Sequence, residues 1–395
     1  MRSFKIIFKL ILFFTLLVSH FLFAQRTNRT KQKEFDFPLT NNHWSSLSSN
    51  AEFINYKSVK AVRSTNDKPI NIFLNDFEFS TGTIEFDVEL NGRGFPGINF
   101  HIDKDTLNSE IFYIRYFGKP NKLLRTTLQY AAVIDSVNLW DVSDEYQAAA
   151  LIKENDWNHV KLVISENQMK AYVNDMEKPA LHVPILEGVT KDGGISLSGD
   201  VTYANMVIKP DYVENLSSEK GYDRASYDPN YLKSWKILKP INFPTGFSFM
   251  KQINRSPGME INSKYYEKAK GWENINAGPR GFVNITKKYG KTPRDKRRLT
   301  WLKTRVISSS DQLKTMNIGF SDEVWVVING QPLYQDEIYF GAPGMKQPRG
   351  RCSLDNATIQ IPLKSGENEI LIGVTNYFFG WGIVARWEEM DGISL

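Results

Sequence analysis

T-I-E-F-D-V-E-L at 83–90, N-G-R-G-F-P at 91–96, G-I-N-F-H-I at 97–102 and I-F-Y-I-R-Y-F at 111–117 decide the fold. Ile84, Phe86, Val88 and Leu90 alternate with Thr83, Glu85, Asp87 and Glu89, the period of two expected of a half-buried strand. Ile98, Phe100 and Ile102 alternate with Asn99 and His101, and Phe112, Ile114 and Tyr116 with Tyr113 and Arg115. Asn91-Gly92 between the first two runs is a hairpin signal, because both residues accept the positive φ of a tight turn. The spacing predicts a three-stranded antiparallel meander with one apolar face. The other face carries Asn99, His101, Tyr113 and Arg115.

Similar short segments fill the chain outward from this point. T-L-Q-Y-A-A-V (127–133), S-V-N-L-W (136–140), W-N-H-V-K-L-V-I (157–164), G-I-S-L-S-G (194–199) and Y-A-N-M-V-I-K (203–209) are separated by Asn, Asp, Gly and Pro. Strands at that spacing predict an all-β sandwich, and only 145–153 reads as helical. The polar stretch 211–232 reads as a linker with little to bury. A second β region runs over 233–395, clearest in V-W-V-V-I-N-G-Q-P-L-Y (324–334), a hairpin turned by Asn329-Gly330. The fold class expected is all-β: two β-sandwich (jelly-roll) domains, 35–210 and 233–395, joined by a polar linker.

Charge and targeting narrow the function classes. Arg2, Lys5 and Lys9 precede an almost wholly apolar run from Leu10 to Phe23, and Ala24 offers a small residue at a cut. Residues 1–24 therefore read as a signal peptide, too short and wrongly flanked for a membrane span. The expected location is exported, periplasmic or extracellular. Of 49 Lys and Arg three fall in this leader, leaving 46 against 44 acids. That balance gives no reason to expect nucleic acid as partner, and the mature chain has no membrane span. K-K-Y-G-K-T-P-R-D-K-R-R (287–298) is locally basic, a solvated loop or a contact for an anionic glycan. Cys352 is the only cysteine and no histidine follows His182, so a cysteine nucleophile lacks a base in its own half. The histidines have no short metal spacing, and Gly92-x-Gly94-x-x-Gly97 lacks the following helix that a dinucleotide site needs. No cofactor is expected; structural calcium stays open.

G-T-I-E-F-D-V (82–88), F-P-G-I-N-F-H (95–101), F-Y-I-R (112–115), L-Q-Y (128–130), W-N-H-V-K-L (157–162), G-G-I-S-L (193–197) and Y-A-N-M-V-I-K (203–209) occur in an order that resembles the concanavalin A-like lectin/glucanase superfamily. The likeness is greatest to laminin-G-like and 3-keto-disaccharide-hydrolase-type domains. The resemblance implies two curved antiparallel sheets with glycan on the concave sheet or its rim loops. G-F-S-D-E-V-W-V-V-I-N-G (319–330), K-S-G-E-N-E-I (364–370) and G-W-G-I-V-A-R (380–386) resemble a galactose-binding-like jelly roll.

Two constellations could carry chemistry. Glu85-Phe-Asp87-Val-Glu89 resembles the E-x-D-x-E strand of family 16 glycoside hydrolases, which implies nucleophile, orienting and acid/base roles in that order. A retaining mechanism needs carboxyl groups about 5–5.5 Å apart, whereas four residues of strand span about 13 Å. A solvated strand face is the alternative. The second set is Asn99, His101, Tyr113, Arg115 and Gln129, with Trp140 as a platform. Planar amide, guanidinium and imidazole donors suit sugar hydroxyls, and an aromatic face suits the C–H side. Cover by a loop or by the second domain is the alternative. The expected partner is carbohydrate, an oligo- or polysaccharide, either bound or cleaved by a glycoside hydrolase or 3-keto-glycoside hydrolase acting on the same face.

Overall fold

The computed structural model describes residues 34–47, 49–66, 68–90, 94–119, 121–243, 269–341, 345 and 347–395. The leader and the Asn91-Gly92 turn lie outside the described residues. The chain is all-β, and its described residues form four sheets whose strand pairings are antiparallel.

The first sheet runs, strand beside strand, Leu181–Val183, Met169–Val173, Trp157–Ile164, Gly82–Glu89, Thr202–Pro210, Val59–Ser64, Ala51–Tyr56, with Phe35–Asp36 also on Thr202–Pro210. The second runs Val137–Asn138, Leu128–Ile134, Ser109–Ile114, Gly97–Ile102, Gly194–Gly199, Ile70–Leu74, Trp44–Ser46. Their inner rows interdigitate in one core containing Ile84, Phe86, Val88, Ile98, Phe100, Phe112, Tyr130 and Leu162. Two sheets packed face to face on alternating inner residues make a sandwich, and each large apolar side chain fully buried there contributes about 1.5–3 kcal/mol.

This arrangement corrects the meander. Gly82–Glu89 pairs with Trp157–Ile164 and Thr202–Pro210 in one sheet, while Gly97–Ile102 and Ser109–Ile114 pair in the other. Alternation states which residues are buried, not which strand lies alongside. Apolar rows from two strands facing across a core give the same pattern as two neighbours in one sheet. The 145–153 helix is absent too. Gln147–Ala148 pairs with Leu128–Ile134, and the edge of that sheet overrides the helix preference of the alanines.

The second pair of sheets holds a separate core. Glu273–Asn276, Ser234–Ile237, Arg297–Ser308, Gly366–Asn376, Glu323–Ile328 and Gln331–Glu337 form one sheet; Phe282–Asn284, Gly382–Trp387, Gln312–Phe320 and Ala357–Leu363 form the other. Asn329 and Gly330 both have positive φ, 49° and 76°, and turn the expected hairpin between Glu323–Ile328 and Gln331–Glu337. Trp381 and Trp387 are fully buried in this core.

A third apolar cluster joins the two pairs. Ala132, Ile134, Val137, Leu139 and Val142 of the first half pack with Tyr231, Phe282, Cys352 and Val384 of the second. The 211–232 stretch has more to bury than its composition indicates. Gln168 Nε2 donates to the Glu219 carbonyl at 2.7 Å and Asn167 Nδ2 to that of Ser218 at 2.7 Å. Arg224–Tyr227 is a short helix capped by Asp223. Ala225, Tyr231 and Leu232 are buried. The connection is pinned along the seam between the sandwiches, and that seam positions the site.

Candidate functional site

Glu85, Asp87 and Glu89 all point away from the core, as the alternation requires, and each is spoken for. His159 lies opposite Asp87 in the neighbouring strand. Its Nδ1 is 2.7 Å from Asp87 Oδ1 and its Nε2 3.3 Å from Glu85 Oε2. Lys209 Nζ donates to Glu85 Oε1 at 2.9 Å and Asn205 Nδ2 to Asp87 Oδ2 at 2.6 Å. Glu89 is buried, held by the Tyr56 hydroxyl at 2.9 Å and Lys57 Nζ at 2.6 Å. Hydrogen bonds from His159 and Lys209 hold Glu85 down at about 2, while Asp87 and then Glu85 lift His159 to about 9. Charges so well compensated tie Gly82–Glu89 to three other strands, Trp157–Ile164, Thr202–Pro210 and Ala51–Tyr56. We expect Glu85→Gln and Glu89→Gln to leave any measured sugar turnover unchanged while lowering the thermal midpoint. Turnover abolished with the fold intact would restore this strand as the catalytic one.

The second set divides. Tyr113, Arg115, Gln129 and Trp140 do come together. An Arg115 nitrogen donates to the Tyr113 hydroxyl at 2.6 Å and to Gln129 Oε1, and Gln129 Nε2 donates to the Trp140 carbonyl at 2.8 Å. They are closed over by the second half of the chain. Arg351 places its guanidinium 4.6 Å from the centre of the Trp140 ring and donates to the Trp140 carbonyl at 2.8 Å. Phe340, Phe378 and Phe379 pack edge-on against the same indole. Tyr113, Arg115 and Gln129 are consequently buried. Burial and the neighbouring Arg115 pull Arg351 down to about 10. The platform expected of Trp140 exists, but the groups it carries are arginines of its own chain.

Asn99 sits apart, half-buried and bonded to Ser196 Oγ at 3.3 Å. His101 does not share its face. His101 has a φ of 55°, which breaks the alternation at the strand's end. Its ring lies fully buried against Phe79 and Phe100 with Nε2 2.7 Å from the Ser80 carbonyl. Burial pushes it down to about 4, so it stays neutral near pH 7.

A cleft of about 720 Å³ opens instead at the rim of the same sheet, along the seam. The first half contributes Arg125, Asp144, Glu145, Tyr146 and His182; the connection contributes Tyr222 and Arg224; the second half contributes Arg280, Ser353 and Asp355. Tyr222 and Tyr227 stack with ring centres 5.4 Å apart and planes 4° apart, yet are 71% and 74% exposed. Two rings pressed together and left in solvent present a flat apolar platform at the cleft mouth. In the same cleft Arg125 bonds Asp144 at 3.2 Å, and Arg351 lies 3.7 Å from the other oxygen of that carboxylate. Arg280 forms a bidentate pair with Glu187, 2.7 and 2.8 Å, flanked by the Tyr146 and Phe282 rings. Glu145 is exposed at the cleft, its carboxylate 3.8 Å from Arg280. Among the described residues no cluster of three or more His, Cys, Asp or Glu is arranged to hold a metal ion.

Only Trp140 and the Arg115 network led toward this region from sequence. Tyr222, Arg280 and Arg351 are far apart in the chain, and no local pattern links them.

No family model matches the chain, and no curated protein is similar to it in sequence. Among solved structures, a carbohydrate-binding module from Bacillus subtilis is 18% identical over 42% of this chain and 95% of its own, with a TM-score of 0.33. The β-glucanase of Bacillus licheniformis is 10% identical over 46% of this chain and 99% of its own, with a TM-score of 0.32. The carbohydrate recognition domain of Emp46p is 12% identical over 45% of this chain and 97% of its own, with a TM-score of 0.35. Each likeness spans less than half of this chain.

Proposed function

We propose that this is an exported carbohydrate-binding protein that holds an oligo- or polysaccharide in the seam cleft, a sugar ring lying against Tyr222. The carrying observation is the exposed Tyr222–Tyr227 stack at the mouth of a cleft lined by guanidinium, carboxylate, hydroxyl and imidazole groups. Pockets of this size, part apolar and with a few converging polar groups at a junction between domains, are where small ligands bind. The apolar C–H face of a pyranose fits the ring, and its hydroxyls meet Arg125, Asp144 and His182. The glycan thus sits at the rim of the first sandwich rather than on the face closed by Arg351.

A glycan array probed with the mature chain, followed by titration of the hits, tests this. Tyr222→Ala with Tyr227→Ala is expected to weaken each hit at least roughly tenfold, about 1.4 kcal/mol. The thermal midpoint should hold, because both rings are mostly in water. Silence across the array, or undiminished affinity in the double variant, would sink the assignment.

One observation favours a hydrolase on the same cleft. Glu145 is exposed in the cleft with only Arg280 near it, at 3.8 Å, while its neighbour Asp144 is paired with two arginines. Two carboxyls in one cleft with unlike partners are the groups that acid and base roles need. Under this reading Glu145→Gln abolishes release of reducing sugar from array hits without loss of binding. A wild-type chain that binds but releases nothing leaves the binding reading alone.

A further inference from the structure

A second groove of about 710 Å³ follows the seam beyond the tyrosine cleft, and Ile185 and Phe282 face both. Its character is different. The cleft mixes both signs of charge, whereas this groove is lined by Lys191, Lys220, Lys287 and Lys288 and by one acid, Glu187. That acid is already committed, since Arg280 takes both its oxygens and the Tyr146 hydroxyl donates to Oε1 at 2.9 Å. Lys288 meets Glu273 at 2.7 Å in a half-open pair, worth little in water. Lys191 Nζ is steadied by the Glu166 carbonyl at 3.1 Å, which orders the ammonium without neutralising it. Lys220 and Lys287 have no carboxylate partner among the described residues.

The cations also come from different parts of the chain. Lys191 belongs to the first half, Lys220 to the pinned connection, and Lys287 and Lys288 to the short helix Ile285–Tyr289 of the second. Folding brings four ammonium groups to one concave surface in a protein whose cations and acids otherwise nearly balance. Like charges gathered in a groove focus its potential and raise the local concentration of anions. Ile185, Ile275 and Phe282 add an apolar lining, suited to the C–H face of a sugar ring.

We propose that this groove binds the oxyanions of an acidic glycan, so that a chain lying on Tyr222 continues along the seam with its carboxylate or sulfate groups over the four lysines. The proposal rests on the carbohydrate-binding reading of the neighbouring cleft. It assigns part of the basic 287–298 stretch, its first two lysines, to ligand rather than to solvent.

Titration of the whole mature protein against matched polymers tests it: polygalacturonate against its methyl ester, dextran sulfate against dextran, and polyglutamate as a polyanion without sugar. At low salt the acidic member of at least one pair should bind at least tenfold tighter than its neutral counterpart. Added salt should shrink that margin, because exposed charges are screened. Lys220→Gln with Lys287→Gln should abolish the margin while leaving the thermal midpoint and the neutral affinity unchanged. The uronate and sulfate pairs tell the two oxyanions apart. No margin in the wild type, or a margin that survives the double substitution, overturns the groove while the tyrosine cleft stands on its own titration. Polyglutamate binding as tightly as the best acidic glycan overturns the glycan assignment. Loss of the cleft reading has a separate signature: Tyr222→Ala would leave neutral binding untouched. If no polymer binds at all, both are overturned.

Discussion

Arg280→Met should destabilise the protein by about 3–5 kcal/mol, the loss expected when one partner of a buried ion pair is removed and the other is left uncompensated. Arg280 and Glu187 are each only 10% exposed, and they join the two halves of the chain by two parallel hydrogen bonds. Burial disfavours the Arg280 charge, yet Glu187 more than offsets this and raises the guanidinium well above its ordinary range. Methionine keeps the stem that packs against Tyr146 and Phe282 and removes the fork. The carboxylate of Glu187 is then left with the Tyr146 hydroxyl alone. Because this pair spans the seam, thermal unfolding should also separate into two steps, one for each pair of sheets. A double change, Arg280→Met with Glu187→Leu, should recover much of the loss, since apolar replacement of a whole buried pair is often neutral. A single variant that loses under about 1 kcal/mol, or a double variant no better than the single, would show that the pair does not hold the seam. Glycan affinity should fall with it, because Arg280 also lines the cleft.

How much of this was legible in the sequence follows from what each signal measures. Ile84, Phe86 and Val88 were placed inward by alternation, and they are inward, because burial has a local period. Asn329-Gly330 was placed at a hairpin, and it is there, because positive φ is a demand on single residues. Sheet membership is not local. Gly82–Glu89 found its neighbours some seventy and a hundred and twenty positions away, at Val160 and Ile208. The surface set shows the same limit. Tyr113, Arg115 and Gln129 share a face as expected, but Arg351, more than two hundred residues later, fills the space above them. His101 failed for a local reason, its left-handed backbone, which no residue type at that position announces. The lysine groove illustrates the complementary case. K-K at 287–288 is visible as a basic pair, while Lys191 and Lys220 join it only through the packing of the seam.

Raising the pH from 6 to 9 should lower the thermal midpoint by about 5 °C or more, given that 1 kcal/mol moves the midpoint of a 150–250-residue unit by about 2–4 °C. Three buried carboxyls drive this. Burial pushes Glu110 up to about 8, Asp141 to about 8, with the nearby Asp322 charge adding to it, and Asp322 to about 7. In the unfolded chain each titrates near its ordinary carboxyl value. Below that value both states are protonated and nothing is lost. Between it and the folded value only the unfolded chain ionises, so unfolding releases protons and rising pH favours it. Stability therefore declines through pH 6 to 8 and levels off above. His159 works in the same direction: raised to about 9, its contribution is complete below its unfolded value and lost as pH climbs through 9. His101, lowered to about 4, has the opposite sign, but its contribution is already in place above its unfolded value and changes little over this range. The structural consequence centres on one turn. Asp141 accepts from the Gly380 amide at 3.0 Å and Asp322 from the Tyr377 and Phe378 amides, so the two carboxyls clasp the turn that presses Phe378 and Phe379 onto Trp140. Ionising both at once places like charges in a dry site, and the cover over Trp140 should loosen before the cores melt. Trp fluorescence should accordingly shift between pH 6 and 9 at temperatures where circular dichroism is still native. Asp141→Asn and Glu110→Gln should each flatten the midpoint profile. A profile that is flat in the wild type, or equally steep in both variants, would mean that these carboxyls are ionised in the folded protein after all.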